Sequence, residues 1–124
     1  MKAKLTICGR FPGANDYIQA ERTNRHMASA MKRKYTDAVC LAAINKRLPA
    51  FKEPVFVTVD WWEKNKRRDP DNIRFAVKFL LDGLVRAGVL VNDTQAWILG
   101  IEDRYHVDRD NPRVTITLQT GDED

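Results

Sequence analysis

The sequence predicts a small single-domain α/β (α+β) fold: a mixed sheet with two helices, in the order β, basic arm, α, β, α, β, β. Three observations predict it. Val55 to Trp62 is β-branched and aromatic, the composition of a strand. Ile73, Val77, Leu80, Leu84 and Ala87 recur at i, i+4, i+7 spacing and draw one apolar stripe along a helix. The N-terminal stretch Lys2 to Gly9 alternates, with Leu5 and Ile7 on one face, as a half-buried strand does.

The elements follow in order. After the first strand, Arg10-Phe11-Pro12-Gly13-Ala14-Asn15-Asp16 is rich in turn residues. Tyr17 to about Lys32 has no clean period and reads as a mobile basic arm; long loops of that kind in compact domains are commonly functional. From about Arg33 to Leu48, Val39, Ala42, Ala43 and Ile44 recur at helical spacing after Tyr35, and Pro49 stops the helix. Pro54 opens the strand from Val55. Asp69 can cap the next helix with Pro70 at its first position, and Gly88 can end it. Val89-Leu90-Val91 runs into the turn Asn92-Asp93-Thr94. Ala96 to about Val107 and Arg113 to Gln119 read as strands, joined through Asp108-Arg109-Asp110-Asn111-Pro112 as a hairpin. No repeat, low-complexity segment or internal boundary divides residues 1–124.

Composition bounds the function classes. A chain of 124 residues buries about two-thirds of its unfolded surface, enough for one modest core. With 44% hydrophobic and 31% charged residues it is expected to fold in solution rather than remain disordered. No run approaches the roughly 20 apolar residues of a membrane helix. Met1 to Ile7 is too short and too alternating for a signal peptide, so the expected location is the cytoplasm. Cys8 and Cys40 lie far apart, as do His26 and His106, which argues against a disulfide framework or a zinc site.

The formal net charge is +4 and the pI is near 9.2. Its distribution says more. Arg22, Arg25, Lys32, Arg33 and Lys34 form one basic group with no acid from Arg22 to Lys34, and Lys64, Lys66, Arg67 and Arg68 form a second. Acids gather elsewhere, including the tail Asp122-Glu123-Asp124. Such clusters fit a polyanion, because each neutralised phosphate releases a counterion; they equally fit a solvated face.

Lys66-Arg67-Arg68-Asp69-Pro70-Asp71-Asn72 is the most informative run. Magnesium takes oxygen ligands, often one or two carboxylates, and completes its shell with water and phosphate oxygens. A metal held by Asp69 and Asp71 could polarise a phosphate and acidify a water, and the flanking arginines would draw DNA towards the pair. The same residues also spell a helix N-terminus, with Asp69 as cap and Asp71 favoured by the helix dipole. Lys78 lies close to two turns beyond Asp71, and Asp82 one turn further, on a face apart from the apolar stripe. A lysine there could bind a phosphate or form a surface pair with Asp82. Asp93 in its turn is ordinary turn chemistry unless the fold returns it to the helix start.

Taken together, these residues resemble the RusA-type Holliday junction resolvases of bacteria and prophages. The likeness is strongest from Lys66 to Gln95: the basic run, Asp69-x-Asp71-Asn72, Lys78-x-x-x-Asp82, Leu84, Ala87-Gly88 and Asp93-x-Gln95. It extends more weakly through Lys4 to Tyr17, with Pro12 and Asn15, through Arg22 to Thr36 in the place of a basic loop, and over the final hairpin. The resemblance implies a small α/β homodimer in a bacterial or phage-infected host. Its implied activity is Mg²⁺-dependent cleavage of four-way DNA junctions by symmetric paired nicks, in recombination and repair. Its metal-binding aspartates match Asp69, Asp71 and Asp93, and its functional lysine matches Lys78. In the best-known members that lysine follows the second aspartate by about four residues, where this chain has Phe75. Aligned through Asp82, Lys78 falls in register about one helical turn later, and Arg74 is its rival. Position 92, acidic in some relatives, is Asn92.

A four-way junction is approximately two-fold symmetric, which suits a symmetric dimer with two identical sites. Trp61, Trp62, Phe75 and Phe79 could serve the dimer, the core or the branch point; burial is the preferred reading. The same residues also fit two other functions: a non-catalytic branched-DNA-binding protein on the same scaffold, and a nuclease for forks or flaps.

Overall fold

A computed structural model describes residues 1–121; the acidic tail Asp122-Glu123-Asp124 lies outside the described residues. The elements are β1 (Lys2–Cys8), α1 (Ala14–Thr23), α2 (Arg25–Lys46), β2 (Val55–Glu63), α3 (Pro70–Arg74), α4 (Val77–Arg86), β3 (Ile98–Val107) and β4 (Arg113–Thr120). The sheet is mixed, in the order β1-β4-β2-β3. β4 runs antiparallel to both β1 and β2, whereas β3 runs parallel to β2.

The alternation in β2 organises the core. Val55, Val57, Val59 and Trp61 point inward and are buried, joined by Leu5 from β1 and by Val114, Ile116 and Leu118 from β4. Phe79, Leu80 and Leu84 from α4 and Val39 and Ala43 from α2 close over the same face. Phe75 packs on Phe79, Phe79 on Tyr35, and Tyr35 on Phe11, a chain of rings holding the helices together. Trp61, Phe75 and Phe79 thus serve the core, as their composition suggested. Trp62 instead faces the open side of the sheet, stacked between His106 and Arg113.

Four readings are corrected. The basic arm is helical: α1 occupies Ala14–Thr23, and α2 begins at Arg25 rather than near Arg33. Asn24 separates them, its side chain accepting the Met27 N–H at 2.9 Å as an N-cap. The apolar period is hard to see because Ala20 and Ala28 carry the burial there. There are consequently four helical segments among the described residues, not two. The helix expected from Asp69 to Gly88 is interrupted at Phe75-Ala76, where Ala76, Lys78 and Phe79 donate to carbonyls three residues back, tightening the turn. Finally, β3 and β4 form no hairpin, because β2 lies between them. The Asp108–Pro112 segment crosses the end of β2, and Asp108 N–H donates to the Glu63 carbonyl at 2.8 Å.

The α2–α4 contact depends on Gly83. A Cβ there would lie 2.5 Å from Val39 Cβ and 2.9 Å from the Thr36 carbonyl. Gly83→Ala should gain helix propensity yet destabilise by about 1–3 kcal/mol through overpacking. Thermal or urea unfolding checks this; a stability at or above wild type would show that the two helices can part without cost. No helix among the described residues is long and apolar enough to cross a membrane.

Candidate active site at the head of α3

The site begins where β2 ends. Glu63 occupies an inward position, and its buried carboxylate needs a cation. Arg68 supplies one, donating from Nε and Nη2 to the two Glu63 oxygens at 2.8 Å each, while Nη1 donates to the Phe11 carbonyl at 3.0 Å. This two-pronged pairing fixes the loop geometrically as well as electrostatically. Arg68 is therefore committed inside the protein. Lys64, Lys66 and Arg67 stay exposed on the loop it anchors.

The clamp delivers the chain to Asp69, which is extended (φ −72°, ψ 150°), with Pro70 opening α3. Asp69 sits at the cap position, but its side chain makes no capping hydrogen bond. Nor does its carboxylate join any other hydrogen bond or ion pair among the described residues. The Asp71 carboxylate accepts only the neighbouring Asn72 N–H, at 3.0 Å. Both residues are exposed. Helix capping thus does not account for Asp69, and the pair keeps most of its lone pairs free.

Two contacts hold this corner in place. Asn72 Oδ1 accepts the Asn15 N–H at 2.9 Å, tying the start of α1 to α3. Tyr105 donates its hydroxyl proton to the Pro70 carbonyl at 3.2 Å, tying the far part of β3 to the same turn. Burial, and then the charge of Asp103, push the Tyr105 phenol above its ordinary value, so it remains a neutral donor at neutral pH. Asn72 belongs to the Asp69-x-Asp71-Asn72 run, whereas Tyr105 carries no local sequence signal; its contact with Pro70 spans 35 positions.

The two candidates for the lysine role differ in their surroundings. Arg74 Nε donates to Asp103 Oδ2 at 2.8 Å, and Trp61 Nε1 donates to Asp103 Oδ1 at 2.8 Å. That hydrogen bond raises the Arg74 pKa further and engages the guanidinium in the fold. Lys78 is exposed and makes no side-chain bond among the described residues, not even the Asp82 pair its spacing allows.

Asp93 lies elsewhere. It borders a cavity of about 480 Å³ with Lys32, Arg33, Asp82 and Arg86. It also flanks a second hollow with Gln95 and the opening residues of β3, Ile98 to Ile101. Asp93 is thus at the start of β3, whereas Asp69 and Asp71 flank Pro70, which Tyr105 touches near its end. Ile98 and Tyr105 are separated by about 23 Å at the usual strand rise. Within one chain, Asp69 and Asp71 flank Pro70 at the head of α3, whereas Asp93 borders a cavity with the basic side chains of α2. Among the described residues no three His, Cys, Asp or Glu side chains could hold one metal ion.

The basic residues divide similarly. Arg22 lies in the last turn of α1 and Arg25 begins α2, both exposed. Lys32, Arg33 and Lys34 follow on α2, with Lys34 Nζ 5.3 Å from the Tyr35 ring centre.

No curated protein matches the chain. A family model described as endodeoxyribonuclease RusA matches residues 11–119, which takes in the Arg68 clamp, the paired carboxylates, Lys78 and Asp93. On that match over nearly its whole length, the chain belongs to the RusA endodeoxyribonuclease family.

Proposed function

We propose that this endonuclease cuts four-way DNA junctions with Mg²⁺, and that each of its sites draws carboxylates from two protomers. One observation carries the reading: Asp69 and Asp71 stand exposed at the head of α3, with no cation paired to either among the described residues, in a chain of a DNA-cutting family. Hard carboxylate oxygens of this kind fit Mg²⁺, which accepts one or two carboxylates and fills its remaining positions with water and phosphate oxygens. Asp69 and Asp71 would hold it from one protomer. Asp93 is too distant in its own chain, so its part in the same centre requires a second copy. Bound there, the ion would supply Lewis-acid stabilisation of the phosphate and a more acidic water.

The chain's own groups have separable tasks. Lys78, on α4 and with no side-chain partner among the described residues, is available to a non-bridging phosphate oxygen and to the charge that grows on it. Lys64, Lys66 and Arg67 offset the repulsion between DNA and the aspartates. Arg22, Arg25, Lys32, Arg33 and Lys34 extend the backbone contact along α1 and α2. Arg68 acts indirectly, by holding the loop. A homodimer with two such sites suits paired nicks across a two-fold junction, the chemistry expected in recombination and repair.

The test compares Mg²⁺-dependent cutting of four-way, three-way and linear duplex DNA at one salt concentration. The proposal expects paired nicks in the four-way junction and little cutting of linear duplex. Equal cutting of three-way and four-way DNA would replace it with a general branched-DNA nuclease. Tight junction binding without any cutting would make the protein a binding module.

A further inference from the structure

We infer that the hollow beside Pro70 is a nucleobase pocket, which takes one unstacked base from the branch point while the adjoining phosphate lies against Asp69 and Asp71; this pocket belongs to the junction-cutting reading above and rests on it. The hollow measures about 540 Å³, within the range of small-molecule pockets and roomy enough for a base. It opens between the loop after β2, the head of α3 and the end of β3. Pro70 forms part of its wall and also separates the two aspartates, so an occupant is held next to the carboxylates.

The lining suits a flat ring with a polar edge. Pro70, Ile73 and Val107 give it an apolar part. Tyr105 gives it an aromatic surface: the hydroxyl is tied to the Pro70 carbonyl at 3.2 Å, which fixes the ring, and the residue is still 38% accessible. A fixed aromatic ring stacks on any base through its π-face. Trp62 does not compete for this role, because its ring is already stacked between His106 and Arg113. Most polar side chains at the margin are engaged as well. Glu63 and Arg68 hold each other, and His106 Nε2 is bonded to Asp60. Asn65 Oδ1 accepts the Arg67 N–H at 3.0 Å, which leaves Nδ2 as a donor with no partner among the described residues. Lys66 is exposed at the same margin. The free groups are thus a hydrogen-bond donor and a cation, which answer the acceptor atoms of a base edge and the phosphate beside it.

Such a pocket gives a physical reason to select branched DNA. Extracting a base from linear duplex breaks its pairing and stacking, and the cost is least where these are already disturbed. Nucleotides at a branch point are in that state. The pocket therefore fills there, and the neighbouring phosphate reaches the carboxylates only where it is filled.

Gel shifts with the full chain in Mg²⁺-free buffer test this, on four-way junctions carrying a symmetric pair of abasic sites moved one position at a time outward from the branch. One position is expected to weaken binding about tenfold relative to its neighbours, the usual effect of losing one base–aromatic stack. Tyr105→Leu should weaken binding of the intact junction by a similar factor, yet add little on the junction that lacks the captured base, because the same contact is already gone. Tyr105→Phe keeps the ring and should keep the sensitivity to that abasic position. Should Tyr105→Leu fail to fold, Asn65→Asp carries the same comparison, since it retains the acceptor for Arg67 and removes the donor. A scan in which no position stands out overturns the inference. So does a variant whose loss multiplies in full with the abasic loss. A junction that shows the coupling but is not cut in Mg²⁺ keeps the pocket and removes the nuclease reading; one that is cut without any sensitive position does the reverse.

Discussion

Asp71→Asn is expected to lose at least about a hundredfold in Mg²⁺-dependent cutting while retaining junction binding. Loss of an outer-shell partner of a metal ligand commonly costs 10–100-fold, and loss of a ligand itself should cost no less. Folding should be unaffected, because the Asp71 carboxylate is exposed and accepts only the adjacent Asn72 N–H. Removing one negative charge beside DNA should leave affinity equal or somewhat tighter. Single-turnover cleavage and gel-shift measurements on the same preparation separate the two effects. Cutting at the wild-type rate would remove Asp71 from the centre.

The second large effect is expected at Lys78. Lys78→Ala should slow cleavage about 10²–10³-fold, the usual consequence of deleting one group that stabilises transition-state charge, with stability within about 0.5 kcal/mol of wild type because the side chain makes no bond among the described residues. Lys78→Arg should recover part of the rate by preserving the charge. Arg74→Ala should behave differently. It leaves Asp103 without its cation, so the damage should appear first in the unfolding midpoint. Rapid-quench rates alongside thermal unfolding distinguish the two. An undiminished rate in Lys78→Ala would take the phosphate role away from that residue.

What the sequence revealed followed the strength of its local signals. The Val55–Trp62 run folds as β2, and the stripe from Ile73 to Leu84 faces the core, because large side chains at regular spacing advertise burial. α1 and the first part of α2 were hidden because alanines do the packing there and basic residues cover the rest. The pairing of β2 between β3 and β4 was hidden for another reason. Asp108-Arg109-Asp110-Asn111-Pro112 has hairpin chemistry, and a short link cannot tell whether its strands pair with each other or straddle a third.

The site divides in the same way. Asp-Pro-Asp is compatible with capping or with metal binding by spacing alone, and the missing cap bond of Asp69 removes capping as the account of its carboxylate. The basic cluster around Arg68 concealed one member whose guanidinium is committed to Glu63. The separation of Asp93 from its fellow aspartates could not be read from order along the chain, since it depends on which end of β3 each one reaches.

Mixing two inactive variants addresses the shared centre most directly. Asp71→Asn and Asp93→Asn chains should each be inactive as homodimers. Co-refolded in equal amounts, half of the dimers should be mixed, and each of these holds one site with all three carboxylates intact. About a quarter of wild-type sites should therefore return, as single nicks rather than paired ones. Recovery of nicking at that level is the predicted result. A mixture as inactive as its components, with mixed dimers demonstrated by mass, would contradict the account.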